Sequence, residues 1–149
     1  MNLNLSEKGL KISPSVTLEI TAKAKAMKAE GIDVISFGAG EPDFNTPENI
    51  RKEGIKAIEE GLTRYTPASG IIQLKEAVCK KLKKENGLDY SPSNIVISSG
   101  AKHSIYNALM AILNPGDEVI IPVPYWVSYP EMIKISGGVP VYIHTKEEN

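Results

Sequence analysis

From Asn94 to His144 the sequence alternates between two kinds of segment, and that alternation most restricts the fold. Asn94 to Ser98 and Glu118 to Pro122 are short and rich in β-branched residues. Val139 to His144 is similar, and all three predict strands. Ala101 to Leu113 and Val127 to Ile135 lie between them and predict helices. Asn114-Pro115-Gly116-Asp117 supplies the turn residues before the second strand. Strands that alternate with helices in this way build a mostly parallel sheet with helices packed on its faces, an α/β architecture.

The first half is less regular. Residues 1–13 predict a loosely structured arm. Ser13-Pro14 predicts a helix start, with Ser13 as cap and proline at the first helical position. Val16, Ile20, Ala24 and Met27 then form one apolar stripe, and Gly31 ends the helix. Asp33 to Phe37 predicts a strand that runs into the loop Gly38-Ala39-Gly40-Glu41-Pro42-Asp43. Thr46-Pro47-Glu48 predicts a second helix start, running to Gly61. A third helix follows Gly70, with Ile71, Leu74, Val78 and Leu82 on its apolar face and Asn86-Gly87 at its end. Its four late lysines, Lys80, Lys81, Lys83 and Lys84, read as a solvated face at the negative end of the helix. A boundary near residue 46 separates an arm and small-domain segment, 1–45, from a regular α/β segment, 46–149.

The strongest local signal is Ile95-Val96-Ile97-Ser98-Ser99-Gly100-Ala101-Lys102. A strand ends in small residues and a helix starts at once. Helix N-termini expose unpaired N–H groups and partial positive charge, which suits phosphate. Lys102 adds a full charge. The turn also fits an ordinary tight β–α junction. The chain's single tryptophan, Trp126, follows a strand end in the proline-stiffened loop Pro122-Val123-Pro124-Tyr125-Trp126. It either stacks on a flat heterocycle or caps the core.

Other chemistries find little support. Gly38-x-Gly40 lacks the third glycine of a dinucleotide site, and Pro42 keeps a helix from opening there. His103 and His144 have no Cys or His partners at metal-ligand spacing. There is no nucleophile-elbow pattern. The net charge of −1 argues against nucleic acid. The lone Cys79, the absence of an apolar leader and the lack of roughly 18 consecutive apolar residues predict a cytoplasmic protein with no membrane span.

Five stretches, in order, resemble the class I aminotransferases, the pyridoxal-phosphate enzymes of the aspartate aminotransferase fold. They are Gly38-Ala39-Gly40-Glu41-Pro42-Asp43-Phe44, Arg64-Tyr65-Thr66-Pro67-Ala68-Ser69-Gly70, Ser98-Ser99-Gly100-Ala101-Lys102, Asn114-Pro115-Gly116-Asp117-Glu118-Val119 and Pro124-Tyr125-Trp126-Val127-Ser128-Tyr129-Pro130. The last looks most like the bacterial aspartate and prephenate aminotransferase subgroup. The resemblance implies the N-terminal part of that family's large domain, truncated, with an arm and small-domain segment before it. It implies pyridoxal 5'-phosphate as cofactor, held by Gly100, Ala101 and Lys102, with Trp126 on its ring. Tyr65 would reach the phosphate of a neighbouring subunit's cofactor in a homodimer. Gly40 would lie by the substrate's α-carboxylate. Lys102, Trp126, Ser15 and Thr17 would line the place of an acidic side chain.

The implied reaction moves an amino group from an amino acid, preferentially aspartate, to a 2-oxo acid such as 2-oxoglutarate. The family's Schiff-base lysine has no match among these 149 residues, so the chain alone is expected to be inactive. Two alternatives stay open: a non-catalytic binding or assembly module of the same fold, and another aminotransferase or lyase specificity, such as prephenate.

Overall fold

The computed structural model describes residues 4–146. They form two compact units. One joins the described residues up to Gly40 with those from Gly100 onward, and the other is Glu41–Ser99.

In the first unit, Ser6 caps a short helix, α1 (Glu7–Leu10), through a bond from the Gly9 N–H to its hydroxyl. Helix α2 (Val16–Ala29) follows. Its cap is Ser15, whose hydroxyl accepts from the Leu18 N–H, and not Ser13 as the proline spacing suggested. The Ser13 N–H donates to Glu131 at 3.0 Å, and Ser13 and Pro14 lie ahead of the helix. Ala24 is the buried residue of α2, and Gly31 leaves it at φ 81°.

The second unit holds α3 (Glu48–Glu59) and α4 (Ile72–Asn86), then a 3-10 turn at Pro92–Asn94. Helix α3 begins directly after Pro47, with no side-chain cap from Thr46. Gly87 ends α4 at φ 68°, letting the Leu88 N–H reach back to the Leu82 carbonyl. Close to its start, the Gly70 backbone lies against Ile97, and the Ile97 N–H donates to the Ser69 carbonyl at 3.0 Å.

The first unit resumes with α5 (Ala101–Ile112), β1 (Glu118–Val123), α6 (Ser128–Ile135) and β2 (Val139–His144). Strands β1 and β2 pair in parallel, from Glu118 opposite Val139 to Val123 opposite His144. Parallel neighbours need a crossover, and α6 provides it. Helix α6 packs on both strands, on α5 and on α1. Ile121, Met132 and Ile133 are the well-buried apolar side chains here. The Asn114–Asp117 turn forms as expected: the Asp117 N–H donates to the Asn114 carbonyl, and the Asp117 carboxylate accepts from the Asn114 N–H.

Two expected strands are absent. Asp33 to Phe37 carries no regular structure and leaves Ile35 and Phe37 exposed; Asn94 closes the 3-10 turn, and 95–98 is irregular, with the Ile97 N–H donating to the Ser69 carbonyl. A β-former becomes a strand only when a neighbour completes its ladder, and among the described residues the single sheet is β1 with β2.

Candidate cofactor-binding site

The site is built on the start of α5. Gly100 precedes the helix at φ 84° and ψ 165°, a conformation other L-residues rarely adopt. No atom lies within 4 Å of where its Cβ would be, so the backbone there is open to a ligand. The Ser104 N–H closes the first turn on the Gly100 carbonyl at 3.3 Å. The N–H groups of Ala101 and Lys102 fall in the first turn, where no earlier helical carbonyl is available to pair them. They stand at the positive end of the helix.

Lys102 turns its ammonium over the Trp126 indole, 4.7 Å from the ring centroid. That contact brings together two residues 24 positions apart. Trp126 is held from below as well. Tyr129 meets it edge-on, with ring centroids 5.5 Å apart at 81°, and the Tyr129 N–H donates to the Trp126 carbonyl at 3.0 Å. The neighbouring Tyr125 turns the other way and stacks on Tyr142 of β2 at 5.3 Å. Burial and a hydrogen bond with Tyr125 push the Tyr142 phenol up. The loop from Pro124 to Val127 thus makes two ring contacts, Tyr125 with Tyr142 and Trp126 with Tyr129. Trp126 keeps 45% of its surface exposed, so the indole is not buried in the core.

The other expected site residues are dispersed. Ser15 and Thr17 begin α2. Ser15 is engaged with Leu18, and the Thr17 carbonyl accepts from the Thr21 hydroxyl at 2.8 Å. Gly40 ends the first stretch of the first unit, in open space. Tyr65 is fully exposed in the second unit.

Two residues escaped the sequence reading. Tyr129 supports Trp126, and the Trp-x-x-Tyr spacing at a helix start is a signal that could have found it. Glu131 holds the Ser13 N–H at 3.0 Å and the Lys134 ammonium at 2.9 Å. Burial alone would raise the Glu131 carboxyl, but the Lys134 and Ser13 hydrogen bonds outweigh it and hold it below its ordinary value. The same bond to Glu131 raises Lys134 against the effect of burial. Nothing in the sequence marks a pairing across 118 positions.

An open glycine at a helix N-terminus, beside a lysine over a part-exposed indole, is an arrangement that can accept a phosphate and a flat ring. The family model described as aminotransferase class I and II matches residues 32–149, and the chain belongs to that family. The aspartate aminotransferase of Bacillus sp. (strain YM-2) is 58% identical over 93% of this chain and 36% of its own length. The probable aspartate/prephenate aminotransferase of Aquifex aeolicus is 53% identical over 99% of this chain and 38% of its own. Among solved structures, the Thermus thermophilus aspartate aminotransferase with maleate superposes with a TM-score of 0.94 at 42% identity, covering 98% of this chain and 38% of that one. The Rhizobium meliloti enzyme gives 0.92 at 45% identity, over 99% and 37%. The chain has the aspartate aminotransferase fold over the part it spans, and it spans a little over a third of these relatives.

Class I aminotransferases use pyridoxal 5'-phosphate. The residues present fit that group. Gly100 gives the backbone approach a phosphate needs, Lys102 supplies charge, and Trp126 offers a ring face.

Proposed function

We propose that the full-length protein is a pyridoxal-phosphate-dependent aminotransferase that takes an amino group from aspartate and gives it to a 2-oxo acid such as 2-oxoglutarate. The observation that carries this reading is the Lys102 ammonium poised over the Trp126 ring beside the start of α5. The cofactor supplies the electron sink that weakens the bond at the substrate α-carbon. Gly100, Ala101 and Lys102 bind its phosphate with fixed dipoles and a full charge, which need no reorganisation. Trp126 stacks on its ring and sets the ring plane. Gly40 leaves room for the substrate α-carboxylate. Lys102, with Trp126 and the α2 start at Ser15 and Thr17, receives the distal carboxylate. Tyr65 reaches the cofactor phosphate of a second subunit in a homodimer. No residue of this chain is assigned the covalent role.

We assign residues 1–45 to the arm and small domain of that enzyme, and 46–149 to its cofactor-binding domain. We place the enzyme in the cytoplasm. Among the described residues no helix is long and apolar enough to cross a membrane. The test is a coupled assay of the full-length protein with aspartate and 2-oxoglutarate. Oxaloacetate and glutamate formed in equal amounts support the reading, and no transamination of aspartate refutes it. A second reading, prephenate as amino acceptor, draws on relatives named aspartate/prephenate aminotransferase. Glutamate-dependent consumption of prephenate by the same protein decides it.

A further inference from the structure

The carboxylate of Glu131 joins two parts of the first unit that lie far apart in sequence. On one side is the arm. Helix α1 packs on α6, and the Ser13 N–H donates to Glu131 Oε2 at 3.0 Å. On the other side is α6 itself. Its first turn carries Tyr129, edge-on to Trp126, and also Glu131, whose second oxygen pairs with Lys134. Both oxygens of Glu131 are therefore committed, one to each partner.

Between the Ser13 anchor and the α2 cap stands a single residue, Pro14. Its ring fixes φ near −65°, so little slack separates Ser13 from Ser15. Fixing Ser13 on α6 thus fixes where α2 begins and where Ser15 and Thr17 stand. Glu131 and Lys134 are only partly exposed, at 21% and 30% of their side-chain surface, so the pair is better shielded than the surface pairs of α3 and α4.

We propose that Glu131 is a positioning residue for the acidic-substrate rim, holding the start of α2 in register with the helix that supports Trp126. Glu131 touches neither cofactor nor substrate. It acts through the Ser13 backbone on Ser15 and Thr17, and through its own helix on Tyr129 and Trp126. The proposal rests on the reading of Ser15, Thr17 and Trp126 given above and deepens it. The preference for a dicarboxylic donor depends on a tether outside the site.

The test compares Glu131→Ala and Glu131→Gln in the full-length protein. Glutamine keeps an oxygen to accept the Ser13 N–H but loses the charge. In Glu131→Ala, KM for aspartate should rise roughly tenfold, the worth of one hydrogen bond to a charged group. The kcat should stay within about twofold, and KM for alanine, which has no distal carboxylate, should move far less. Amide hydrogen exchange over residues 11–17 should quicken in Glu131→Ala and return most of the way in Glu131→Gln. An equal rise in KM for aspartate and alanine, unchanged exchange over residues 11–17, or a glutamine variant as impaired as alanine would each overturn the proposal. A parent protein with no transamination would overturn the functional reading and this inference together. A parent that transaminates, with variants whose KM does not move, would overturn the inference alone.

Discussion

Replacing Gly70 by alanine separates two costs that the structure assigns to different glycines. Gly70 sits at φ +98°, and a Cβ there would lie 2.5 Å from Ile97 Cγ1 and 2.7 Å from Ile97 Cβ. A χ1 rotation could move the Cγ1 methylene, but Cβ moves only with the backbone. That backbone is pinned, because the Ile97 N–H donates to the Ser69 carbonyl. Positive φ costs a side chain about 1–2 kcal/mol. Overpacking against a fixed neighbour adds about 1–3 kcal/mol. Gly70→Ala should therefore destabilise by about 2–5 kcal/mol in all. Gly61 is the control: it has φ +71° and nothing within 4 Å of its Cβ, so Gly61→Ala should cost only about 1–2 kcal/mol. Urea unfolding of the full-length protein, followed by circular dichroism, reads both midpoints. Equal midpoints for the two variants would refute the claim that Gly70 is required for close packing rather than for its φ alone.

Three further outcomes follow from other contacts. Gly138→Ala should destabilise by about 1–3 kcal/mol, read as a lower urea midpoint, because its Cβ would meet Leu113 Cδ1 at 2.9 Å, Ile133 Cγ2 at 3.0 Å and the Asp117 carbonyl at 3.2 Å. Adding Leu113→Val should recover part of that loss in a double-mutant cycle, and strict additivity would count against the contact. Lys102→Ala should raise KM for aspartate more than for alanine, and an unchanged preference between the two donors would remove Lys102 from the acidic-substrate rim. The stability difference between the parent and Glu131→Gln should depend on pH. Glu131 is held below its ordinary value of 4.5, so its contribution is complete above that value and disappears as pH falls through the depressed one. Lys134 is raised above 10.5, so its share is present below that value and disappears as pH rises through the raised one. Denaturation midpoints from acid to alkaline pH check both limits, and a difference that persists in strong acid would contradict the pairing.

What the sequence revealed, and what it hid, divides along physical lines. Helices α3 to α6 and both paired strands were legible because each is announced locally, by a glycine stop, a proline start or a short β-branched run. The β2 limits, Val139 to His144, are those expected, since Gly137-Gly138 and the charged tail bracket the run. Asp33 to Phe37 and Asn94 to Ser98 have the same local character as β1 and β2, yet remain unpaired. Strand-forming residues state a preference, while a strand is a relation between two segments. The α2 cap was misplaced for a related reason. Ser13 looks like a cap locally because Pro14 follows it, yet the hydroxyl that accepts from the first turn of α2 is that of Ser15.

The site shows the same division and gives it a functional sense. The proposed phosphate end is written in adjacent residues, Gly100, Ala101 and Lys102, because one helix start supplies glycine, amides and charge together. The ring end needed the fold, since whether Trp126 faces a ligand or the core depends on where its neighbours point. Tyr125 and Trp126 are consecutive, yet one stacks on β2 and the other lies under Lys102. Helix α6 closes the argument. It presents Tyr129 to the indole and Glu131 to the arm, so a displacement of α6 would reach Trp126 and the start of α2 together. Under the proposed function, the rim for a distal carboxylate and the platform for the ring would both depend on this one helix.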